Sequence, residues 1–125
     1  MLAYSLGINI QRAQSIINSY QRLITLDLAF AEIANIAWKR IFIFKDNKET
    51  VLSNLKLAIE FMNTLNVRQV SSLIDDGIHF ALNYGITFYD ASFVVLAIRE
   101  NAILLTTNLK LANAIHGRVK VITPA

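Results

Sequence analysis

No cysteine occurs among the 125 residues, which excludes disulfides, thiol nucleophiles and cysteine-ligated zinc or iron–sulfur centres. The two histidines, His79 and His116, are too few for a histidine-rich metal site. One proline and four glycines exclude collagen-like and low-complexity sequence. Charge is sparse: Asp, Glu, Lys and Arg make up 17% of the chain, against about 25% in an average domain. With hydrophobic residues at 54%, the chain is too apolar to be disordered. No run is long enough for a bilayer. The longest uncharged stretch is the thirteen residues from Gly77 to Tyr89, which include His79 and Asn83, whereas a spanning helix needs about 18–20 apolar residues. The opening MLAYSLGINIQR has no basic segment before its apolar residues and no small-residue cleavage site, so a secretory signal is not expected. A soluble, cytoplasmic protein without membrane contact is the expectation.

The length suits one domain, residues 1–125, with a sizeable core. An apolar excess of this size predicts self-association, most simply a homodimer, which hides surface that a monomer would expose. Twelve basic and nine acidic residues give a net charge of +3, with seven and five in residues 1–62 and five and four in residues 63–125. There is no basic tail, so an RNA partner would have to be met by locally placed cations.

Apolar spacing predicts a helix over about residues 8–21, a short strand over 23–26, and an N-cap at Asp27 opening a helix to about Phe44. A third helix spans about Glu49 to Leu65, with its stripe at Leu52, Leu55, Ile59 and Met62. Residues 67–70 form a brief strand, and Ser71 or Ser72 opens a helix to about Tyr84, with Ser72 and Asp75 at capping-box spacing and Gly85 as a left-handed stop. Strands over 86–88, 102–106 and 119–123 then alternate with helices over 90–100 and 108–115. This alternation predicts an α/β domain with a short parallel sheet, and residues 49–84 read as a helical insertion. An all-helical adaptor is the competing architecture. The chain opens in a helix, so the sheet is narrow and one strand short of a protected parallel sheet.

Metal-assisted phosphodiester chemistry needs converging carboxylates. Most of the nine acids have plainer explanations: Asp46 and Glu49 lie in a polar loop, Glu60 on an exposed helical face, Asp75 and Asp76 in a first turn, and Glu100 beside Arg99 near a helix end. Glu32 differs, since it interrupts the apolar segment LAFAEIANIAW and shares its face with Asn35 and Lys39; a solvent-facing position is the alternative. Asp90, in FYDASFVVLAI, starts a helix whose other faces are apolar, and reads equally as an N-cap. Asn108 follows the strand ILLTT and is also a good N-cap, although the carboxyl ends of strands are where α/β folds build sites. Lys39, with Arg40 beside it, is a candidate phosphate contact, the plainer reading being a basic helix end.

The segment GITFYDASFVVLAIRENAILLTTNLKLANAI resembles the carboxyl half of a PIN domain, the nuclease fold of VapC-type toxins, whose members commonly show a Tyr-Asp-Ala helix start, here Tyr89-Asp90-Ala91, and a Thr-x-Asp strand end. Upstream, LDLAFAEIANIAWKR is similar to the second motif of that family, an acidic residue on a helix. The resemblance covers about residues 23–123. It implies a three-layer α/β/α fold and an Mg²⁺- or Mn²⁺-dependent endoribonuclease of a toxin–antitoxin system, whose partners are RNA and an antitoxin-like protein. By the same resemblance, Glu32 and Asp90 would be metal ligands and Thr106 would orient ligands or water. Two departures matter. Asn108 stands where an Asp is expected, and the family's first strand, which ends in a catalytic Asp, has no counterpart, since residues 1–18 resemble the segment that comes after that strand.

A complete site of this kind presents about four carboxylates, and metal affinity depends on ligand charge. This chain matches two of them, Glu32 and Asp90. Either it is a degenerate member with an incomplete acidic cluster, or its true start lies upstream of Met1. The competing function is a non-catalytic PIN-like interaction protein that binds an antitoxin-like peptide or RNA.

Overall fold

A computed structural model describes residues 22–106 and 108–123; the helix expected over residues 8–21 lies outside them. Strand β1 (Ile24–Leu26) leads into helix α1 (Leu28–Phe42) through Asp27. As expected, Asp27 caps α1, and it does more. Its Oδ1 accepts hydrogen bonds from the backbone N–H of Leu28 and that of Val70, both at 2.9 Å, while its own N–H donates to the Arg68 carbonyl at 2.9 Å. One short side chain thus fixes the start of α1 against the end of strand β2 (Asn66–Arg68). β2 runs parallel to β1, with Thr25 opposite Val67. The brief strand expected over residues 67–70, inside the stretch read as a helical insertion, is thus present one residue earlier and pairs with β1.

Helix α1 buries Ala29, Ile33 and Ala37, one face at a spacing of four, against α2 (Lys48–Met62). In α2 the buried residues are Val51, Ala58 and Met62, with Leu55 half-buried. Of the expected stripe, Leu55, Ile59 and Met62 are buried or half-buried, while Leu52 stays exposed and Val51 is buried in its place. Asn47 caps α2, its Oδ1 accepting from the N–H of Thr50 at 2.9 Å.

After β2, a 3₁₀ turn (Val70–Leu73) precedes α3 (Ile74–Tyr84). The capping box expected at Ser72 and Asp75 does not form. The Ser72 hydroxyl donates back to the Gln69 carbonyl at 2.8 Å, stabilising the 3₁₀ turn in place of a cap. Gly85 ends α3 at φ 65, as the sequence predicts. No strand forms at 86–88: Gly85, Ile86 and Thr87 make a three-residue connection, and the Thr87 hydroxyl accepts from the Asp90 N–H at 3.1 Å and starts α4 (Phe88–Arg99) at Phe88. The chain can turn this tightly from α3 into α4 because Gly77 faces Phe88: a Cβ there would lie 2.8 Å from Phe88 Cε1.

Helix α4 is the centre of the core. Every residue from Ala91 to Ala97 is buried, the pattern of a helix enclosed on most faces. Leu26, Met62, Leu73, Leu104, Leu111 and Ile115 share one cluster with it. Strands β3 (Leu104–Leu105) and β4 (Val121–Ile122) pair in parallel around α5 (Leu109–Ala114). The parallel strands exclude the all-helical architecture. Among the described residues the strands form two parallel pairs, β1–β2 and β3–β4, rather than one sheet, and no strand precedes β1. Thr25 Oγ1 is buried without a hydrogen-bond partner among the described residues. No single described helix is long and apolar enough to cross a membrane.

Candidate active site

Glu32 lies in the second turn of α1 and Asp90 in the first turn of α4, two helices that the fold orients through independent caps, Asp27 and Thr87. Both carboxyls are half-buried. The Glu32 pKa is raised above the usual carboxylate value, first by burial and then by the negative charge of Asp90. The two acids, 58 residues apart in sequence, are therefore brought into one electrostatic site. Burial also raises Asp90, and a hydrogen bond from the Thr87 side chain partly offsets this. The N-cap alternative for Asp90 is set aside by the structure: the cap is Thr87, which leaves the Asp90 carboxylate available. Thr87 is not among the expected site residues, although Thr87-Phe-Tyr-Asp90 carries the same spacing as Ser72 and Asp75.

Thr106 and Asn108 close β3 and open α5. Thr106 is fully buried, and its Oγ1 accepts from the Asn108 N–H at 3.1 Å. Asn108 Oδ1 accepts from the Leu111 N–H at 3.0 Å, so this side chain is the N-cap of α5. The two residues are joined to each other, and among the described residues neither hydrogen-bonds to Glu32 or Asp90. At the far end of α1, Lys39 is exposed, whereas Arg40 pairs with Asp46 at 3.6 Å.

Among the described residues no group of three or more His, Asp or Glu side chains is placed to hold a metal ion; the acidic cluster there is a pair. Its chemistry nevertheless suits a hard divalent cation. The donors are carboxylate oxygens, which such ions prefer, and the negative charge of Asp90, which opposes ionisation of Glu32, is what a nearby cation would offset.

Two of the remaining acids are engaged in ion pairs. Glu100 accepts from Arg68 Nε at 3.0 Å and lies 3.8 Å from Arg22, and Asp76 accepts from Arg99 at 2.9 Å. Glu100 thus pairs with β2 rather than with its sequence neighbour Arg99.

No family model matches the sequence. The chain is 35% identical over 105 residues to Ribonuclease VapC3 of Pyrobaculum aerophilum, an alignment that covers 82% of this chain and 78% of that protein. Its fold is similar to the crystal structure of PAE2754 from the same organism, with a TM-score of 0.70 at 22% identity over 89% of this chain and 73% of that one. A relative of that identity and coverage makes this chain a member of the VapC family of ribonucleases, a VapC-type PIN domain.

Proposed function

We propose that the protein is a metal-dependent endoribonuclease of a toxin–antitoxin system that works with a reduced acidic site, Glu32 and Asp90. The observation that carries this reading is the electrostatic coupling of these two carboxyls across α1 and α4. The Oε atoms of Glu32 and the Oδ atoms of Asp90 would hold one Mg²⁺ or Mn²⁺. Such an ion supplies Lewis acidity toward a phosphate oxygen and a more acidic water. The protein contributes orientation: Thr87 fixes the first turn of α4 and hence Asp90. The buried faces of both helices limit water on the side of the site toward the core. Lys39 lies two turns from Glu32 on the same side of α1 and is the phosphate contact, with Arg40 next to it. Thr106 orients the backbone of Asn108, and Asn108, at the position where the family resemblance puts a third acid, would offer a neutral amide oxygen in place of a charge, so slow turnover belongs to this reading.

The test is cleavage of single-stranded RNA in Mg²⁺ or Mn²⁺ by the purified chain beside Glu32→Gln and Asp90→Asn. Each substitution is expected to reduce the rate by about a hundredfold or more, the loss of a cation worth several kcal/mol in the transition state. Cleavage unchanged in both variants would remove these residues from the active site.

A second reading rests on the capping role of Asn108 and on the absence of a third acid beside the pair among the described residues. In it the chain is a non-catalytic PIN-like protein that holds an antitoxin-like peptide or RNA, and it binds no divalent cation at millimolar concentration. An antitoxin-like partner and a homodimer, the latter through the exposed Ile74, Ile78 and Leu82 stripe of α3, are compatible with both readings.

A further inference from the structure

Trp38 is the only tryptophan in the chain. It stacks on Phe42 with ring centroids 5.3 Å apart and planes 12° from parallel, yet the pair is not core: Trp38 is 50% exposed and Phe42 61%. Phe44, 62% exposed, extends the patch. Cations lie against these rings. Lys45 Nζ is 5.1 Å from the Phe42 centroid, and the Arg40 guanidinium, also paired with Asp46, is 5.8 Å from that of Phe44. Residues 38–48 hold four cations (Lys39, Arg40, Lys45 and Lys48) and one acid, so this stretch carries the whole of the chain's net charge of +3.

The backbone is strained at the same place. Lys45 has φ 58, where the N–H of Phe44 donates to the Lys39 carbonyl at 3.1 Å and that of Asp46 to the Arg40 carbonyl at 2.9 Å. Helix endings of this kind ordinarily place glycine in the left-handed position, since a side chain there is penalised. A lysine is kept instead, and its ammonium reaches the exposed ring of Phe42. Observed strain of this sort points toward function.

An apolar patch made for another protein is depleted of charge at its centre. Here cations alternate with aromatic rings, the combination that binds single-stranded nucleic acid: rings stack on bases while cations follow the phosphates. We propose that Trp38 and Phe42, flanked by Lys39, Arg40 and Lys45, form a base-stacking platform for single-stranded RNA at the end of α1. The inference rests on the ribonuclease reading for its choice of RNA as ligand. Phe42 is ten residues beyond Glu32 on α1, about 15 Å along the helix axis, so the platform grips the strand a few nucleotides from the carboxylate pair.

Because Trp38 is unique, its fluorescence reports stacking directly. The full chain is titrated with a single-stranded ribo-oligonucleotide in EDTA, where metal-dependent cleavage does not intervene, and with inorganic polyphosphate as a ligand without bases. RNA is expected to quench the tryptophan saturably, and polyphosphate is not. Phe42→Ala should weaken RNA binding by roughly 5- to 100-fold, the range of a lost base stack. Lys45→Gly removes the strained lysine, so its melting temperature should equal or exceed that of the parent while RNA affinity falls and the salt slope decreases by about 1. A merely structural Lys45 would move stability alone.

RNA binding without a change in Trp38 emission, or no RNA binding, overturns the platform. So does a tryptophan signal that tracks protein concentration and ignores RNA, which would make the face a protein interface. The two proposals fail separately. Quenching without Glu32-dependent cleavage leaves the platform and removes the nuclease, whereas Glu32-dependent cleavage without quenching does the reverse.

Discussion

Glu32 and Asp90 are both held where ionisation is opposed, Glu32 by burial and by its neighbour's charge, Asp90 by burial. A carboxyl with a raised folded-state pKa binds its proton more tightly in the native protein than in the unfolded chain. Its contribution to stability is therefore fully present below the ordinary carboxylate range and is lost as pH rises through the raised native value. Without divalent cation, Glu32→Gln and Asp90→Asn should each melt above the parent at neutral pH, and the difference should shrink toward acid. Thermal melts in EDTA across this pH range check both signs, and Mn²⁺ should raise the melting temperature of the parent but not of the variants. Asn108→Asp keeps a competent cap, since Asp and Asn serve almost equally at that position, and adds a charge at the place where the family resemblance puts a ligand. Mn²⁺ affinity measured by calorimetry is expected to rise about tenfold or more; no change would place Asn108 outside the metal shell. Glu32 and Asp90 are legible in the sequence because each is a lone acid in an apolar segment. Thr87 is not, because the extended reading of Ile86-Thr87-Phe88 hides its capping role.

At the scale of elements, the start of α4 joins structure to site. Thr87→Ala should cost about 1 kcal/mol through the lost cap, measured by chemical denaturation, and should lower RNA cleavage by more than the unfolded fraction explains, because Asp90 loses its fixed turn. Gly77 is the other determinant. Replacing a helical glycine by alanine ordinarily stabilises by about 0.5–1 kcal/mol, but here the new methyl meets Phe88 at 2.8 Å. Overpacking of that kind costs about 1–3 kcal/mol, so Gly77→Ala should lower the denaturation midpoint, and Phe88→Leu in the same chain should restore part of it. Helix periodicity places α1 and α4 within two residues of their observed starts. In α2 it places Leu55, Ile59 and Met62 on the buried side but takes Leu52 where Val51 is buried, because spacing alone fits either of two adjacent apolar residues at the end of a stripe. The strand at 86–88 fails because no neighbouring strand pairs with the extended Thr87, which caps α4 instead.

The whole molecule combines two parallel strand pairs with α4, whose residues Ala91–Ala97 are all buried, which explains why so apolar and lightly charged a chain can fold around one core. The even split of charge between the two halves conceals its concentration at residues 38–48, visible once α1 shows that these side chains share one helix end. The exposed α3 stripe, with Leu82 at 76%, predicts a homodimer by light scattering and its conversion to monomer by Leu82→Glu. The central proposal is narrow: Glu32 and Asp90, from separate motifs, would hold one divalent cation. Isothermal titration of the full chain with Mn²⁺ tests this most directly. A single site of millimolar affinity or better, lost in both Glu32→Gln and Asp90→Asn, is the predicted result; no site in the parent chain, or one that survives both substitutions, would contradict it.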